Sequence, residues 1–247
     1  MLLKKYSKRM NSVAFQAVIF DMDGVLIDSE PLWHQAEQVI LGGLGIDFSK
    51  PPLLQSTGLT TASVIAHWYR HQPWPGPDEQ QVHQQIIDFV ASGIAQQGEA
   101  KTGLMTLLNS IQAQNLKMAV ATNSPKFLLD TTLQRLQLAP YFSATCHLEL
   151  VKNGKPAPDI YLLAAEKLGV APEHCLVFED SFTGISAAKA AGMTVVAIPA
   201  EHEWQHSKFD IADHKIRCFS DINGPQLIAL LQRGELSFSA GEQHAFS

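Results

Sequence analysis

The chain has 247 residues, 46% of them hydrophobic, and a formal net charge of −6 at pH 7. This length suits one large domain or two small ones and allows a sizeable buried core. The acidic balance, without a basic stripe on any predicted helix, argues against nucleic-acid binding, and no uninterrupted apolar run approaches the roughly 18 residues that a membrane helix needs.

Residues 1–12 and 236–247 are expected to be loosely ordered tails. The first tail is basic but has no apolar stretch after its charges, so it does not resemble a signal peptide, and Met10 is a candidate second start. The three cysteines lack disulfide or metal-site spacing, which favours reduced core side chains and a cytoplasmic location. No helix shows an apolar stripe beyond those that a core requires, which favours a monomer.

The first predicted strand, AVIF at 17–20, is followed directly by Asp21 and Asp23. An ionised carboxylate beside apolar surface is costly to desolvate unless a partner balances its charge. The pair therefore indicates either a cation site or an ordinary polar turn.

Residues 31–99 are predicted to form helices and loops without a strand. Three segments carry apolar residues at helical spacing, which places them on one face of each helix. These face residues are Trp33, Ala36, Val39 and Ile40 in the first helix, Val64, Ile65, Trp68 and Tyr69 in the second, and Val82, Ile86 and Phe89 in the third. We interpret this block as a small all-helical cap domain, inserted after the first strand.

The rest of the chain alternates between helices and short apolar strands, which are KMAVAT, ATCHL, CLVFED, MTVVAIP and KIRCF. The helix after KMAVAT is predicted to begin with Ser124 as its N-cap and Pro125 at its first position. Such an alternation predicts the α/β class, with a Rossmann-like, doubly wound and mostly parallel sheet. This catalytic core is discontinuous and comprises residues 13–30 and 100–235.

Polar side chains follow four of the predicted strands. They are Asp21 and Asp23, then Thr122 and Asn123, then Lys155, and finally Glu179 and Asp180. Ligands bind at the carboxyl ends of parallel strands, so we expect these groups to share one crevice. Crowded carboxylates need a divalent cation, and oxygen-only ligands favour Mg²⁺. A carboxylate can also attack phosphorus, while a hydroxyl, amides and a lysine stabilise the transferring group.

Each of these motifs also has an ordinary structural interpretation when it is taken alone. Asp-x-Asp-Gly occurs in calcium loops and turns, although the further acidic ligands of a calcium loop are missing here. Thr122 could only terminate a strand. Lys155 could be a solvated loop lysine, and Lys152 is a rival for its role.

The four motifs in order resemble those of the haloacid dehalogenase-like hydrolases, in the phosphoglucomutase-like branch with a small C1-type cap. The matching stretches are DMDGV at 21–25, Thr122-Asn123-Ser124, GKPAPD at 154–159 and FEDS at 178–181. The resemblance covers nearly the whole chain. Its first third is also similar to bacterial phosphatases of sugar and hexitol phosphates, on DMDGVLIDSEPLW and HWYRHQPWPGP.

The resemblance implies a role for each motif residue. Asp21 would be the nucleophile, and Asp23 would be the general acid and base, with its backbone carbonyl on the metal. Both would thus belong to the Mg²⁺ site, together with Asp180, and Glu179 would be a ligand or an outer partner. The residues implied to hold the phosphoryl group are Thr122, Asn123 and Lys155.

Departures from the branch favour a phosphatase of a small phosphorylated metabolite with one phosphate. β-Phosphoglucomutases carry a histidine where this chain has Trp33, and cations in the cap loop that here reads STGLTT, around Gly58. The candidate specificity residues of the cap are therefore Trp33, Thr57, Gly58 and Thr60. A phosphomutase is the first alternative, and a binding module without catalysis is the second.

Overall fold

The structure is a computed structural model that describes residues 15–51, 60–234 and 236. Its six strands are β1 (Ala17–Phe20), β2 (Lys117–Ala121), β3 (Ala144–Cys146), β4 (Cys175–Glu179), β5 (Thr194–Ala197) and β6 (His214–Lys215). They form one sheet in the order β3-β2-β1-β4-β5-β6, and every neighbouring pair is parallel. The predicted α/β class with a doubly wound parallel sheet is confirmed.

The eight described α-helices complete the fold. They are α1 (Glu30–Gly43), α2 (Thr61–His71), α3 (Glu79–Gln97), α4 (Leu104–Ala113), α5 (Lys126–Arg135), α6 (Asp159–Leu168), α7 (Phe182–Ala190) and α8 (Gly224–Arg233). None of them is long and apolar enough to cross a membrane. Residues 1–14, which include the predicted tail 1–12 and Met10, lie outside the described residues. So do residues 237–247 of the second predicted tail, and Thr57 and Gly58 of the predicted cap.

The sheet is buried on both faces, as its continuous apolar strands require. Alternate residues of β1 belong to different apolar clusters, since Val18 and Phe20 join one cluster while Ala17 and Ile19 join the other. The Phe20 and Phe178 rings of neighbouring strands stack with their centroids 5.3 Å apart. A rigid sheet of this kind fixes the positions of the residues that follow its strands.

Helices α1, α2 and α3 lie between β1 and α4 in the chain, in the segment predicted to be the cap. Two antiparallel linkers join this segment to the sheet. The amide of Asp28 donates to the carbonyl of Glu99 at 3.4 Å, and the amide of Lys101 donates to that of Leu26 at 3.1 Å. The Lys101 ammonium also lies 3.3 Å from the Asp28 carboxylate. These contacts tie the two linkers together.

A close contact between α1 and α3 positions the first turn of α1. A β-carbon at Gly93 of α3 would lie 2.7 Å from a methyl group of Leu32, in the first turn of α1. Glycine allows this approach without a shift of the Leu32 side chain, since such a distance is well inside van der Waals contact. The first turn of α1 is therefore seated against α3.

Several local predictions are wrong. Val39 was expected on the buried face of α1, but it is 54% exposed, because α1 buries Leu32, Ala36 and Leu41 instead. Tyr69 is likewise 40% exposed, where its ring packs edge-on against Trp74.

The predicted start of α5 is also wrong. Pro125 is the N-cap, the helix begins at Lys126, and the Ser124 side chain does not cap it. The Ser124 hydroxyl donates instead to Asp23, 101 residues earlier in the chain, which no local pattern predicts.

Candidate active site

The carboxyl ends of the central strands open into a cavity of about 360 Å³ between the sheet and the first helices of the segment 31–99. Its floor carries every motif residue except Glu179, which lies beneath it, fully buried. The lining motif residues are Asp21, Asp23, Thr122, Asn123, Lys155 and Asp180. The structure thus brings these residues from four strand ends together in one cavity, as expected.

A buried ion-pair network lies at the centre of the floor. The Lys155 ammonium contacts an Asp21 carboxylate oxygen at 2.5 Å and a Glu179 carboxylate oxygen at 2.6 Å. Its side chain is 4% exposed, and that of Glu179 is fully buried. Lys155 thus supplies the buried cation, whereas the rival Lys152 is exposed at the surface.

Donors occupy both oxygens of Glu179. One oxygen accepts from Lys155 and from the Tyr161 hydroxyl at 2.9 Å. The other accepts from the backbone amide of Ser181 at 2.8 Å and from its hydroxyl at 3.1 Å. Burial, and then the charge of Glu179, raises the pKa of Tyr161 well above its ordinary value, so its phenol stays a donor. With four donors, Glu179 is suited to orient Lys155 rather than to bind a ligand directly.

Two glycines make room for the acidic residues. A β-carbon at Gly184 would lie 1.6 Å from an oxygen of Glu179, and one at Gly24 would lie 1.9 Å from an oxygen of Asp180. Gly24 also has a φ of +73°, which other residues rarely adopt. The glycine of the Asp-x-Asp-Gly motif thus brings Asp180 against the chain that carries Asp21 and Asp23.

Carboxylate oxygens of Asp21, Glu179 and Asp180 all lie within 4.8 Å of one another. Burial raises the pKa of Asp21 to about 7, with Glu179 and Asp23 adding to the rise and Lys155 opposing it. Burial, then the charges of Glu179 and Asp21, also holds the pKa of Asp180 well above its usual range. One lysine does not balance these acids, and their oxygen-only ligands fit Mg²⁺.

Burial alone would favour the neutral form of Lys155. The adjacent carboxylates of Asp21 and Glu179 outweigh that effect and raise the pKa of the lysine above its ordinary value. The ammonium therefore keeps its charge inside the protein, where it is available to a bound anion.

Asp23 lies in a different environment from Asp21. One of its oxygens accepts from the Ser29 hydroxyl at 2.5 Å and from the indole nitrogen of Trp33 at 3.0 Å. The other accepts from the Ser124 hydroxyl at 2.7 Å. All three donors are neutral, and the side chain of Asp23 lies outside the group of three clustered carboxylates.

The second motif holds its neighbours in place as well as lining the cavity. Thr122 is 1% exposed, and its hydroxyl oxygen accepts from the amide of Ser124 at 3.0 Å. The Asn123 side chain accepts from the backbone amide of Lys155 at 2.9 Å and donates to its carbonyl at 3.3 Å. Asn123 therefore fixes the backbone that carries the buried lysine.

The segment predicted as the cap supplies the opposite wall of the cavity. Of its four candidate specificity residues, Trp33 and Thr60 line the cavity, while Thr57 and Gly58 lie outside the described residues. Sequence reasoning missed the ionisable lining residues His34, Glu37 and His83 of this segment, and also Glu30, the first residue of α1. It also missed Ser29 and Tyr161, since no motif spacing marks either of them.

The fold and this site together are those of a hydrolase with a Rossmann-like core of the α/β class. A profile of the haloacid dehalogenase-like hydrolases matches residues 15–192, and the chain belongs to that family. The resemblance on which the sequence analysis relied is thus confirmed.

Within this family, the chain is similar to phosphatases of phosphorylated carbohydrates. The chain is 36% identical to hexitol phosphatase B of Escherichia coli (strain K12) over 213 residues, which cover 86% of this chain and 96% of that protein. It is 34% identical to a phosphorylated carbohydrates phosphatase of Thermotoga maritima over 181 residues, 72% of this chain and 82% of that protein. The similarity to hexitol phosphatases therefore extends well beyond the first third of the chain.

Solved structures share the fold. CbbY from Rhodobacter sphaeroides in complex with phosphate superimposes with a TM-score of 0.74 at 26% identity, covering 85% of this chain and 96% of that one. A putative β-phosphoglucomutase from Thermotoga maritima gives a TM-score of 0.67 at 27% identity, over 87% and 98% of the two chains. These neighbours support the phosphoglucomutase-like branch.

Proposed function

We propose that this hydrolase is a Mg²⁺-dependent phosphatase of small sugar or polyol monophosphates, acting through an aspartyl-phosphate on Asp21. The observation that carries the proposal is the buried Asp21 carboxylate, held by Lys155 beside the carboxylates of Glu179 and Asp180. Relatives named hexitol phosphatase, phosphorylated carbohydrates phosphatase and fructose-1-phosphate phosphatase support a phosphoric monoester as substrate. The predicted monomeric state and cytoplasmic location stay part of the proposal.

The reaction would proceed in two displacements at phosphorus. An oxygen of ionised Asp21 attacks phosphorus, the bond to the sugar oxygen breaks, and Asp23 gives its proton to the leaving alkoxide. Asp23 then takes a proton from water, which attacks the aspartyl-phosphate and releases inorganic phosphate and Asp21. Thr122, Lys155 and the backbone amide of Asn123 would hold the phosphoryl oxygens while charge builds up on them.

Asp21, Asp180 and the backbone carbonyl of Asp23 would hold the Mg²⁺, and Glu179 would act as their outer partner. A bound divalent cation supplies charge that neutralises the carboxylates and the phosphoryl oxygens. Asp21 must be ionised to attack, so its place is beside the cation. Asp23 must exchange a proton, which suits a side chain held by three neutral donors.

The wall of the cavity favours a phosphatase over a phosphomutase. Among the described residues, Lys155 is the one lysine or arginine that lines the cavity, and it lies on Asp21 and Glu179. The wall carries carboxylates of Glu30, Glu37 and Glu149 instead. Residues 52–59, PLLQSTGL, precede Thr60 in the chain and lie outside the described residues, and their sequence contains no basic residue. The three carboxylates of the wall outnumber the lining imidazoles of His34 and His83, so this wall favours a second phosphate group less than a basic wall would.

Phosphate release from a panel of esters tests the proposal. The panel contains 2-deoxyglucose 6-phosphate, fructose 1-phosphate, sorbitol 6-phosphate and a nucleoside 5′-monophosphate, each with Mg²⁺ and with a chelator. We expect Mg²⁺-dependent turnover of a sugar or polyol ester by the wild type, and a loss of about 10⁴-fold or more in Asp21→Asn.

Two results would contradict the proposal. Undiminished phosphate release by Asp21→Asn would contradict the assignment of Asp21 as the nucleophile. If the wild type hydrolysed none of the esters, the proposed hydrolytic reaction would be wrong. Conversion of β-glucose 1-phosphate into an isomer without phosphate release would support the phosphomutase alternative.

A further inference from the structure

Three donors from different parts of the chain meet at Asp23. Ser29 belongs to the linker that leads into α1, Trp33 to the first turn of α1, and Ser124 to the loop after β2. Ser29 stands at the N-cap of α1 but makes no side-chain capping bond. Its hydroxyl, like that of Ser124, donates to Asp23 instead. Two serines at helix starts thus donate hydrogen bonds to this carboxylate and do not cap their own helices.

We propose that Trp33 is a positioning residue, which holds the carboxylate of Asp23 from the helical segment 31–99 so that one defined oxygen faces the leaving group. The inference rests on the proposed function, since it assigns a partner to the proposed general acid. Trp33 is suited to this role because an indole N–H can donate but cannot accept. It therefore holds the oxygen Oδ1 as an acceptor at all times.

The two oxygens of Asp23 differ in consequence. Oδ1 accepts from both Ser29 and Trp33, whereas Oδ2 accepts from Ser124. The Ser124 hydroxyl can rotate, and it can accept as well as donate. Oδ2 is therefore the oxygen that transfers the proton to the alkoxide and later receives one from water.

The indole ring itself is held in place. Trp33 is half-buried and packs against the apolar cluster that includes Leu32 and the core of the helical segment. The close approach of Leu32 to Gly93 fixes the first turn of α1, which carries Trp33. The orientation of Asp23 thus depends on how α1 packs against α3, so the helical segment contributes to the chemistry as well as to the cavity wall.

Leaving-group dependence separates positioning from a merely structural role. p-Nitrophenolate departs without a proton, whereas a sugar alkoxide needs one from the general acid. The test compares wild type with Trp33→Phe on the best alkyl phosphate of the panel and on p-nitrophenyl phosphate. Stopped flow follows the first burst of p-nitrophenolate, which reports phosphorylation of the enzyme before water attacks.

In Trp33→Phe we expect kcat on the alkyl phosphate to fall by about tenfold or more, while its KM and the burst rate change by less than about threefold. Trp74→Phe is the matched control. Trp74 also lies in the helical segment and donates its indole N–H over 3.0 Å, but to the carbonyl of Pro77. This control should leave both substrates unaffected.

A second replacement protects against a folding defect. Benzothienylalanine at position 33 keeps the ring and exchanges the N–H for sulfur, and it should give the same selective loss. An equal fall in kcat on the alkyl phosphate and in the burst rate on p-nitrophenyl phosphate, a change in KM alone, or full kcat on the alkyl phosphate in either variant would overturn the role of Trp33. A wild type that hydrolyses no phosphate ester would instead overturn the proposed function, and this inference with it.

Discussion

The floor and the wall of the cavity are built differently. On the floor, Asp21, Lys155 and Glu179 are buried and bound directly to one another by charge. On the wall, Glu30 at the start of α1 is partly exposed, as are Glu37 and Thr60 of the helical segment 31–99. The floor therefore has one fixed geometry held by buried charges, whereas the polar groups of the wall are in contact with solvent.

This difference suggests a division of roles. Buried charges tolerate no exchange, because removing one partner leaves another charge without compensation. Partly exposed groups are screened by water and can change at little cost. The reaction is accordingly assigned to the floor and the choice of substrate to the wall, with Trp33 as the point at which the two meet.

Removing the buried cation should have the largest effect. Lys155→Met leaves Asp21 and Glu179 buried without their counter-charge, which should lower the free energy of unfolding by about 3–5 kcal/mol. It should also reduce kcat/KM by about 10³-fold, since the phosphoryl oxygens lose their lysine. Denaturant unfolding and phosphate release measure the two effects.

Lys152→Met is the matched control, since Lys152 precedes Lys155 by one turn of chain and is exposed. It should change neither quantity. The double variant Lys155→Met, Glu179→Gln should recover part of the stability but none of the activity. A stable Lys155→Met protein would show that the floor is not the rigid charged network described above.

Filling the space beneath Glu179 should have the next largest effect. Gly184→Ala places a methyl group 1.6 Å from the present position of a Glu179 oxygen. Glu179 must then move away from Lys155, Tyr161 or Ser181, at a cost of about 1–3 kcal/mol in unfolding free energy. Gly43→Ala is the control, because nothing lies within 4 Å of its added methyl group. Thermal unfolding of both variants decides, and equal melting temperatures would contradict the tight packing.

Sequence patterns predicted the floor more fully than its supports. Asp21, Thr122 and Asp180 directly follow strands, so the parallel sheet brings them together. Lys155 lies in the longer loop after β3, where Asn123 holds its backbone. The partners of Glu179 could not be found in this way. Tyr161 reaches it from the first turn of α6, and a buried tyrosine in a helix is indistinguishable from any core aromatic in the sequence.

The wall was harder to predict because it depends on how α1 docks. Helical spacing indicates that one face is apolar, but it does not decide which edge of that face meets α3, so Val39 was placed inside wrongly. The same docking brings Trp33 to Asp23. Trp33 was predicted as a specificity residue without this contact, since 10 residues of chain separate the two and no motif spacing joins them.

Metal binding should depend on pH because Asp21, a proposed metal ligand on the floor, has a raised pKa. Burial, with Glu179 and Asp23 adding to it, raises the pKa of Asp21 from 3.8 to about 7. A carboxyl with a raised folded pKa keeps its proton in the folded state, so without metal the folded state loses stability as pH rises from about 4 to 7. The proposed Mg²⁺ would bind the ionised form and would restore that stability.

Mg²⁺ should therefore raise the melting temperature more at pH 8 than at pH 6, and its apparent affinity should fall by up to about tenfold per pH unit below pH 7. Calorimetry at both pH values should also detect proton release on binding at pH 6. A pH-independent affinity would mean that Asp21 is already ionised at pH 6 and that its burial matters less than its contact with Lys155.

The smallest expected effect belongs to the wall. Glu37→Gln removes one carboxylate from the cavity, so a bisphosphate should be repelled less. We expect fructose 1,6-bisphosphate to inhibit hydrolysis of fructose 1-phosphate about two- to fivefold more strongly, a change typical of a partly exposed charge. Glu166→Gln, on the exposed side of α6, is the control. Because Glu37 has no part in the proposed bond-breaking steps, kcat should stay unchanged. A large loss of kcat in Glu37→Gln would show that the wall, too, takes part in the chemistry.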